Sequence, residues 1–160
     1  TFIEPTQNIR SLGVKLKLSP TKTIVKNKSI ILIDDSLVRG TTCHKIVKML
    51  YEAGAKEVHV RIACPEIKFP DFYGVDMPTK EELLAHKKNT QQMCDYINAK
   101  SLEFLSLNGL YHALIKEKRN YNYPQFSDHY FTGDYPIKPS DNLEGLKVKQ
   151  LSLLSSKSIG

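Results

Sequence analysis

Apolar residues between positions 29 and 63 follow two different periodicities. Residues 29 to 34 (SIILID) form a short β-branched run, typical of a strand buried on both faces of a parallel sheet. In residues 42 to 53 apolar side chains recur at helical spacing, and Gly54 follows as a C-terminal stop. Residues 57 to 63 alternate apolar and polar positions and predict a second strand. The order strand, helix, strand predicts a parallel βαβ unit with a right-handed crossover.

Two capping-box patterns follow this unit and predict two short helices. Thr79 stands three residues before Glu82, at the start of the stretch TKEELLAH. Asn89 stands three residues before Gln92, at the start of NTQQMCDYI. In a capping box the first side chain accepts a backbone hydrogen bond from the later residue, whose own side chain bonds back. Each pattern therefore predicts a helix N-terminus.

The rest of the chain divides into a patterned and a weakly patterned part. Residues 102 to 107 (LEFLSL) predict a strand, and Asn108 is predicted to cap a helix that ends near Lys118. Beyond Asn120, aromatic residues alternate with turn formers, and the final SSKSIG is typical of disorder. We therefore predict three parts: a basic N-terminal stretch at 1–28, an α/β core at 29–118 and a partly disordered C-terminal extension at 119–160.

Composition confines the chain to one domain of a soluble, globular class. It has 160 residues, of which 41% are hydrophobic and 25% are charged. No apolar run approaches the roughly 20 residues needed to span a bilayer. The three cysteines are too few and too widely spaced for a disulfide framework or a CxxC metal site, and the five histidines lack zinc-ligand spacing. We expect a cytoplasmic protein with buried structural thiols, no membrane contact, and histidines on surfaces or helix faces.

The net charge of +6 is concentrated near the N-terminus. Six basic residues and no acidic residue occupy positions 10 to 28, whereas basic and acidic residues balance at 17 each elsewhere. Such a segment either binds an anion or is simply solvated. No helix-turn-helix, zinc-finger or aromatic-interleaved pattern supports a nucleic-acid partner. The more specific alternative to a solvated segment is one that binds a phosphorylated small molecule.

The junction between the first predicted strand and helix carries the candidate chemistry, in the run Asp34-Asp35-Ser36-Leu37-Val38-Arg39-Gly40-Thr41-Thr42. Ligands of open α/β sheets bind at the carboxyl ends of strands. Backbone N–H groups of such a turn converge on an anion with the positive end of the helix dipole, and hydroxyl groups add donors. Gly40 permits close approach of the backbone. The loop predicts a phosphate site, although it lacks the P-loop and dinucleotide fingerprints.

Two adjacent carboxylates, Asp34 and Asp35, begin this run. Carboxylate oxygens suit sugar hydroxyls, or an Mg²⁺ ion shared with a phosphorylated substrate. Acidic pairs at strand ends also cap helices, bind lysines or face solvent, so the pair alone leaves both interpretations open. Residues 36–42 directly follow the pair, and we call them the phosphate loop. Their pattern favours the interpretation that the pair binds a ligand.

The stretch ILIDDSLVRGTT resembles the phosphoribosyl-pyrophosphate (PRPP) motif of type I phosphoribosyltransferases. The resemblance extends to TFIEPTQNIRSLGVKLKLSP before it and to EAGAKEVHVRIACPEIKFPDFYGVDMPTKEELLAH after it. These flanks are similar to the glutamine PRPP amidotransferase family, the amidophosphoribosyltransferases, from Thr1 to His86 and more loosely to about Tyr135. The PRPP motif is shared with other phosphoribosyltransferases and with PRPP-binding regulators, whereas FYGVDMPTKEELLAH is much more specific.

This resemblance implies an α/β fold, the parallel-sheet type I phosphoribosyltransferase fold, of which the chain is the incomplete back half. It implies transfer of ammonia from glutamine to PRPP, giving 5-phosphoribosylamine and pyrophosphate in the first step of de novo purine biosynthesis. Because the chain begins with Thr1 and the glutaminase domain lies upstream in the family, we expect a fragment that is inactive alone. The full enzyme is expected to form a homo-oligomer and to be inhibited by purine nucleotides. Two alternatives stay open, a non-catalytic PRPP-binding regulator and an inactive relic of a split gene.

The resemblance also implies roles for single residues. Asp34 and Asp35 would bind the ribose hydroxyls and help to hold Mg²⁺. Residues 1–28 correspond to a mobile loop that closes over PRPP. No protein nucleophile is implied, since ammonia attacks the anomeric carbon. The residues expected to surround the 5′-phosphate are Ser36, Val38, Arg39, Gly40, Thr41 and Thr42, and those expected to contact pyrophosphate are Lys15, Lys17 and Lys22.

Some members of the family hold an iron–sulfur cluster through cysteines in a stretch similar to NYPQFSDHYFTGDYP. Here that stretch contains no cysteine, and Asp71 occupies the other region where a ligand is expected. Because thiolates are the usual ligands of such clusters, we expect no iron–sulfur cluster.

Overall fold

A three-stranded parallel sheet lies at the centre of the computed structural model, which describes residues 19–75 and 79–137. The strands are β1 (Ser29–Asp34), β2 (Glu57–Ile62) and β3 (Ser101–Phe104), in the order β1-β2-β3. Both neighbouring pairs are parallel, so the three carboxyl ends lie at one edge of the sheet. The predicted α/β class and the βαβ unit are confirmed.

Helices connect these strands and cover one face of the sheet. The three longer helices are α2 (Thr41–Glu52), α4 (Thr90–Ile97) and α5 (Leu107–Ile115). The short helices are α1 (Lys22–Val25), α3 (Leu84–Lys87), α6 (His129–Thr132) and a 3-10 turn at Lys80–Glu82. No helix in the described ranges is long and apolar enough to cross a membrane.

The hydrophobic core lies between this sheet face and helices α2 and α4. Apolar side chains at alternate positions of β2 point into it, since successive residues of a strand face opposite sides. Helix α2 packs against the sheet with the apolar side that its helical spacing predicts, and its Cys43 and Val47 are buried there. The buried residues of this cluster are Leu37, Cys43, Val47, Val58, Val60, Ile62, Leu84, Ala85, Met93, Cys94, Ile97 and Leu102.

The prediction that residues 29–34 are buried on both faces is wrong for the part of the chain that the structure describes. Ile31 and Ile33 are 66% and 73% exposed, whereas Leu32 packs against the core. Among the described residues, helices cover only the face to which Leu32 points. The β-branched run therefore forms a strand, but its second apolar face has no layer above it here.

One of the two predicted capping boxes is formed. Gln92 donates its backbone N–H to Asn89 Oδ1 at 2.9 Å, and Asn89 donates its own to Gln92 Oε1 at 3.0 Å. The box at Thr79 is wrong, since Thr79 makes no side-chain capping bond. The carboxylate of Glu82, which the box required, is bonded instead to a distant arginine, Arg39.

The last predicted strand and helix begin and end earlier than expected. Strand β3 ends at Phe104, and Ser106 caps α5 by accepting the backbone N–H of Gly109 at 3.0 Å. Asn108 lies inside the helix, which ends at Ile115 before the left-handed residue Lys116. A serine at this position satisfies a free N–H group of the first turn, and it therefore replaces Asn108 as the cap.

Residues 119–137 are held by polar contacts and aromatic packing. The buried Arg119 donates to Asp128 at 2.6 Å and to Asp134 at 2.7 Å, and Tyr111 of α5 donates to Asp128 at 2.8 Å. Backbone bonds from Lys68 and from Phe69 to Tyr130 join this region to the loop after β2. The division into parts at 1–28, 29–118 and 119–160 stays a prediction.

Candidate functional site

The two adjacent carboxylates lie where β1 ends, at the carboxyl edge of the sheet. The carbonyl of Asp34 accepts the backbone N–H of Ala63 at 2.9 Å, which fixes the end of β1 against β2. Leu37, three residues later, is 2% exposed and anchors the following loop in the core. The hydrophobic anchor therefore holds the polar residues on both sides of it at the surface.

The acid pair is held by short local hydrogen bonds. Asp35 donates its backbone N–H to Asp34 Oδ1 at 3.1 Å, and Ser36 Oγ donates to Asp35 Oδ1 at 3.0 Å. Burial raises the pKa of Asp34; the Asp35 N–H lowers it, and the neighbouring Asp35 carboxylate raises it further. Two carboxylates this close repel each other, so the site favours a cation or hydroxyl donors.

The loop after the acid pair ends in the N-terminus of α2. Gly40 is the N-cap residue with a φ of +75°, a left-handed conformation that glycine adopts without strain. It makes no side-chain capping bond, and no acidic residue occupies the first turn of α2. Because the first N–H groups of a helix lack intrahelical partners, Thr41 and Thr42 present donors at the positive end of the dipole.

A segment distant in the sequence contacts this loop. Leu84 donates its backbone N–H to the Val38 carbonyl at 2.9 Å, and Arg39 Nε lies 3.2 Å from Glu82 Oε1. The guanidinium of Arg39 is thus directed to a carboxylate of the protein. Sequence reasoning missed both contacts, which join residues more than forty positions apart.

The structure brings together the predicted residues from Asp34 to Thr42, which form one continuous loop. It does not bring Lys22 to them. Lys22 begins α1, close to the edge where β1 starts, and the nearby Asn27 bonds to the Gly54 carbonyl at 2.7 Å. Lys15 and Lys17 lie outside the described residues.

Cys64 lies next to the site. The sequence predicts that it ends a strand and that its thiol is buried. Strand β2 ends two residues earlier, and the side chain is partly exposed. Burial and the Asp35 carboxylate raise the pKa of the Cys64 thiol to about 11, against a hydrogen bond from the Leu37 backbone that lowers it. Cys43 and Cys94 are buried on helices, as predicted.

This electrostatic environment predicts slow alkylation of Cys64 at neutral pH. Because the thiolate is the nucleophile, the rate should rise about tenfold per pH unit until the pH nears the thiol pKa. Iodoacetamide labelling of the native chain at several pH values, followed by peptide mass spectrometry, measures this rate. Cys43 is 2% exposed and serves as the internal control that stays unmodified. A pH-independent rate at Cys64 would contradict the raised pKa.

A second polar cluster lies away from the phosphate loop and was missed. His129 is 1% exposed, and its Nε2 lies 2.8 Å from Asp71 Oδ1 while its Nδ1 lies 3.0 Å from Ser127 Oγ. Of the surface or helix-face roles predicted for the histidines, a surface role is wrong for His129, which is the buried first residue of helix α6. Burial opposes ionisation of Asp71, but hydrogen bonds from the Val75 backbone, His129 and the Tyr73 backbone outweigh it and lower its pKa to about 2. The cluster joins the loop after β2 to residues 127–130.

Comparison with known proteins gives relatives of one kind. No family model matches the chain. A curated amidophosphoribosyltransferase of Rhizobium etli is 54% identical over 157 residues, which are 98% of this chain and 32% of that protein. The chloroplastic amidophosphoribosyltransferase 2 of Arabidopsis thaliana is 49% identical over 150 residues, which are 94% of this chain and 25% of that protein.

Solved structures agree with these relatives. Glutamine PRPP amidotransferase from B. subtilis, complexed with ADP and GMP, matches with a TM-score of 0.72 and 42% identity, over 87% of this chain and 30% of that chain. The chain spans about a third or less of the length of the proteins it matches. The parallel-sheet phosphoribosyltransferase fold expected from the resemblance is confirmed. By sequence and by fold, the chain belongs to the amidophosphoribosyltransferase family and corresponds to a C-terminal part of its members.

Proposed function

We propose that this chain forms the part of an amidophosphoribosyltransferase that binds PRPP, at which ammonia replaces pyrophosphate to give 5-phosphoribosylamine. One observation carries the proposal: the acid pair at the end of β1 is followed, within one loop, by a helix N-terminus without a side-chain cap. The carboxylates suit the ribose hydroxyls, and the helix N-terminus suits the 5′-phosphate.

The loop residues divide between backbone and side-chain donors. The hydroxyls of Thr41 and Thr42 donate to phosphate oxygens, and Gly40 lets the backbone approach the ligand. Ser36 contributes its backbone N–H, because its hydroxyl already donates to Asp35. Val38 and Arg39 contribute backbone N–H groups, since the carbonyl of Val38 and the guanidinium of Arg39 already have partners in the protein. The phosphate is therefore bound mainly by groups that the fold holds in place.

Asp34 and Asp35 also fit an Mg²⁺ ion that arrives with PRPP. Mg²⁺ is bound in proteins by one or two carboxylates together with phosphate oxygens and waters, and this pair supplies such oxygens at the mouth of the loop. Among the described residues, no group of three or more histidine, cysteine or acidic side chains could hold a metal by itself. The ion, when bound, neutralises charge on the pyrophosphate as it leaves.

The chain's own residues act by positioning. Departure of pyrophosphate leaves positive charge on the ribose ring, and we assign the acid pair to bind the ribose hydroxyls and stabilise that charge. A sugar fixed at both its phosphate and its hydroxyls presents the anomeric carbon to ammonia in one orientation. Lys15 and Lys17 are proposed to contact pyrophosphate when the stretch that contains them closes over the substrate, which also excludes water. A contact by Lys22 would require α1 to move from its position near the start of β1.

The family membership supports further parts of the proposal. The B. subtilis structure is complexed with ADP and GMP, and nucleotides share the ribose phosphate that this loop would bind. We infer that purine nucleotides compete at the same loop. We propose four further properties for the whole enzyme. It has a glutaminase domain that supplies ammonia, it forms a homo-oligomer, it holds no iron–sulfur cluster, and it is cytoplasmic.

A chimera tests whether the segment is functional. In it, this chain replaces the matching segment of the R. etli enzyme, to which it is 54% identical. We expect ammonia-dependent release of pyrophosphate from PRPP. PRPP binding without pyrophosphate release would favour the non-catalytic regulator, and absence of binding would favour the inactive relic.

In this chimera, Asp35→Asn should weaken the binding of Mg²⁺ and PRPP by about 1–3 kcal/mol, because a charged hydrogen-bonding partner is lost. This corresponds to a dissociation constant raised roughly 5-fold to 150-fold, measurable by isothermal titration calorimetry. Asp95→Asn is the matched control, since Asp95 is an exposed carboxylate on α4 bonded to Gln91. Equal affinities of the two variants would remove the acid pair from the site.

A further inference from the structure

Residues 79–88, which we call the bracing segment, contact three consecutive residues of the phosphate loop. These are Val38, Arg39 and Gly40. The Leu84 N–H donates to the Val38 carbonyl at 2.9 Å. Glu82 accepts from Arg39 through both carboxylate oxygens, at 3.2 Å and 3.3 Å. The Leu84 side chain lies so close to Gly40 that a Cβ atom there would be 2.7 Å from Leu84 Cδ2.

These contacts differ in what they do for the fold. The backbone bond and the packing of Leu84 involve groups at the edge of the core, since Leu84 is 7% exposed. The ion pair is different, because its arginine and glutamate side chains are 39% and 50% exposed. A pair this exposed contributes little to folding stability. Its bidentate geometry instead fixes the direction of the arginine side chain.

The direction of Arg39 matters because of the acid pair in the same loop. Asp34 and Asp35 lie five and four residues before Arg39, and they are the two carboxylates of the loop to which a released guanidinium could turn. Both side-chain hydrogen bonds that Arg39 makes within the described residues go to Glu82. Glu82 therefore holds the guanidinium of Arg39, and within the described residues this guanidinium forms no ion pair with Asp34 or Asp35.

We propose that Glu82 is a positioning residue for the phosphoribosyl site: it keeps the guanidinium of Arg39 on the bracing segment, so that Asp34 and Asp35 stay available to substrate and its cation. The effect on substrate binding rests on the proposed function, whereas the restraint of Arg39 rests on the geometry of the Arg39–Glu82 ion pair. Glu82 touches no substrate in this scheme and acts on the site through Arg39.

The test compares Glu82→Gln with Glu81→Gln in the 160-residue chain. Both changes remove one exposed carboxylate from the same 3-10 turn, but only Glu82 bonds to Arg39. Two readouts are taken: hydrogen–deuterium exchange of peptides covering residues 35–42 without ligand, and calorimetric titration with Mg²⁺ and PRPP. We expect Glu82→Gln to speed exchange of the loop and to raise the dissociation constant about threefold to fivefold, with Glu81→Gln unchanged.

A third comparison separates this role from a merely structural one. In an Arg39→Met background, Glu82→Gln should have no further effect on affinity, because no guanidinium is left to release. Glu82→Asp should recover part of the wild-type affinity. If Glu82→Gln and Glu81→Gln behave alike in exchange, or if the Glu82 effect persists without Arg39, the inference is overturned. Failure of the unaltered chain to bind PRPP would count against the proposed function, while loop exchange would still decide the role of Glu82.

Discussion

Arg119→Met is expected to lower the free energy of unfolding by about 3–5 kcal/mol, since removal of one partner leaves a buried charge without compensation. The Arg119 side chain is 2% exposed and donates two hydrogen bonds to Asp128, whose own side chain is 4% exposed. The bond with Asp128 raises the pKa of Arg119 against the effect of burial, and Asp134 raises it further. After the substitution, Tyr111 and Thr132 remain as donors to Asp128, but neither carries a positive charge.

Two further variants test whether the loss of stability comes from the buried ion pair and not from the change of side chain in general. Lys118→Met changes the same number of charges at the adjacent, exposed position and should alter stability by less than about 0.5 kcal/mol. Asp128→Asn added to Arg119→Met should recover part of the loss, because the buried side chain is then neutral. Urea unfolding followed by circular dichroism measures all of them. Equal midpoints for Arg119→Met and Lys118→Met would contradict a stabilising role for the buried pair.

The elements of the fold that were predictable from sequence are those whose signal is local and periodic. The alternation in β2, the helical spacing in α2 and the capping box at Asn89 each depend on residues within a few positions of one another. The box at Thr79 had the same spacing and was wrong, because Glu82 finds a partner 43 residues earlier in the chain. The spacing alone therefore does not distinguish the capping box that forms from the one that does not.

The candidate site divides in the same way. Its acid pair and phosphate loop are continuous in sequence, so their residue types and order sufficed to predict them. Contacts between distant segments left no such signal, including those of Leu84 with Val38 and of His129 with Asp71. The exposure of Ile31 and Ile33 could not be predicted either, since a β-branched run is the same whether or not a second layer covers it.

Gly40→Ala is expected to destabilise the chain by about 2–5 kcal/mol and to disorder the phosphate loop. The left-handed conformation at a φ of +75° costs an L-residue about 1–2 kcal/mol. The new Cβ atom would also lie 2.7 Å from Leu84 Cδ2 and 3.0 Å from Tyr96 Cε1. Tyr96 is 41% exposed and can move, but Leu84 is packed in the core, so overpacking adds about 1–3 kcal/mol.

Gly74→Ala isolates the second of these contributions. Gly74 also has a positive φ, +112°, but a Cβ atom there would meet no atom within 4 Å. The alanine at position 74 should therefore suffer backbone strain alone, and the difference between the two variants in urea unfolding reports the contact with Leu84. Gly40→Ala combined with Leu84→Ala should lose less stability than the sum of the single changes, because the smaller side chain makes room for the Cβ atom. If the two effects simply add, Leu84 does not set the shape of the phosphate loop through Gly40.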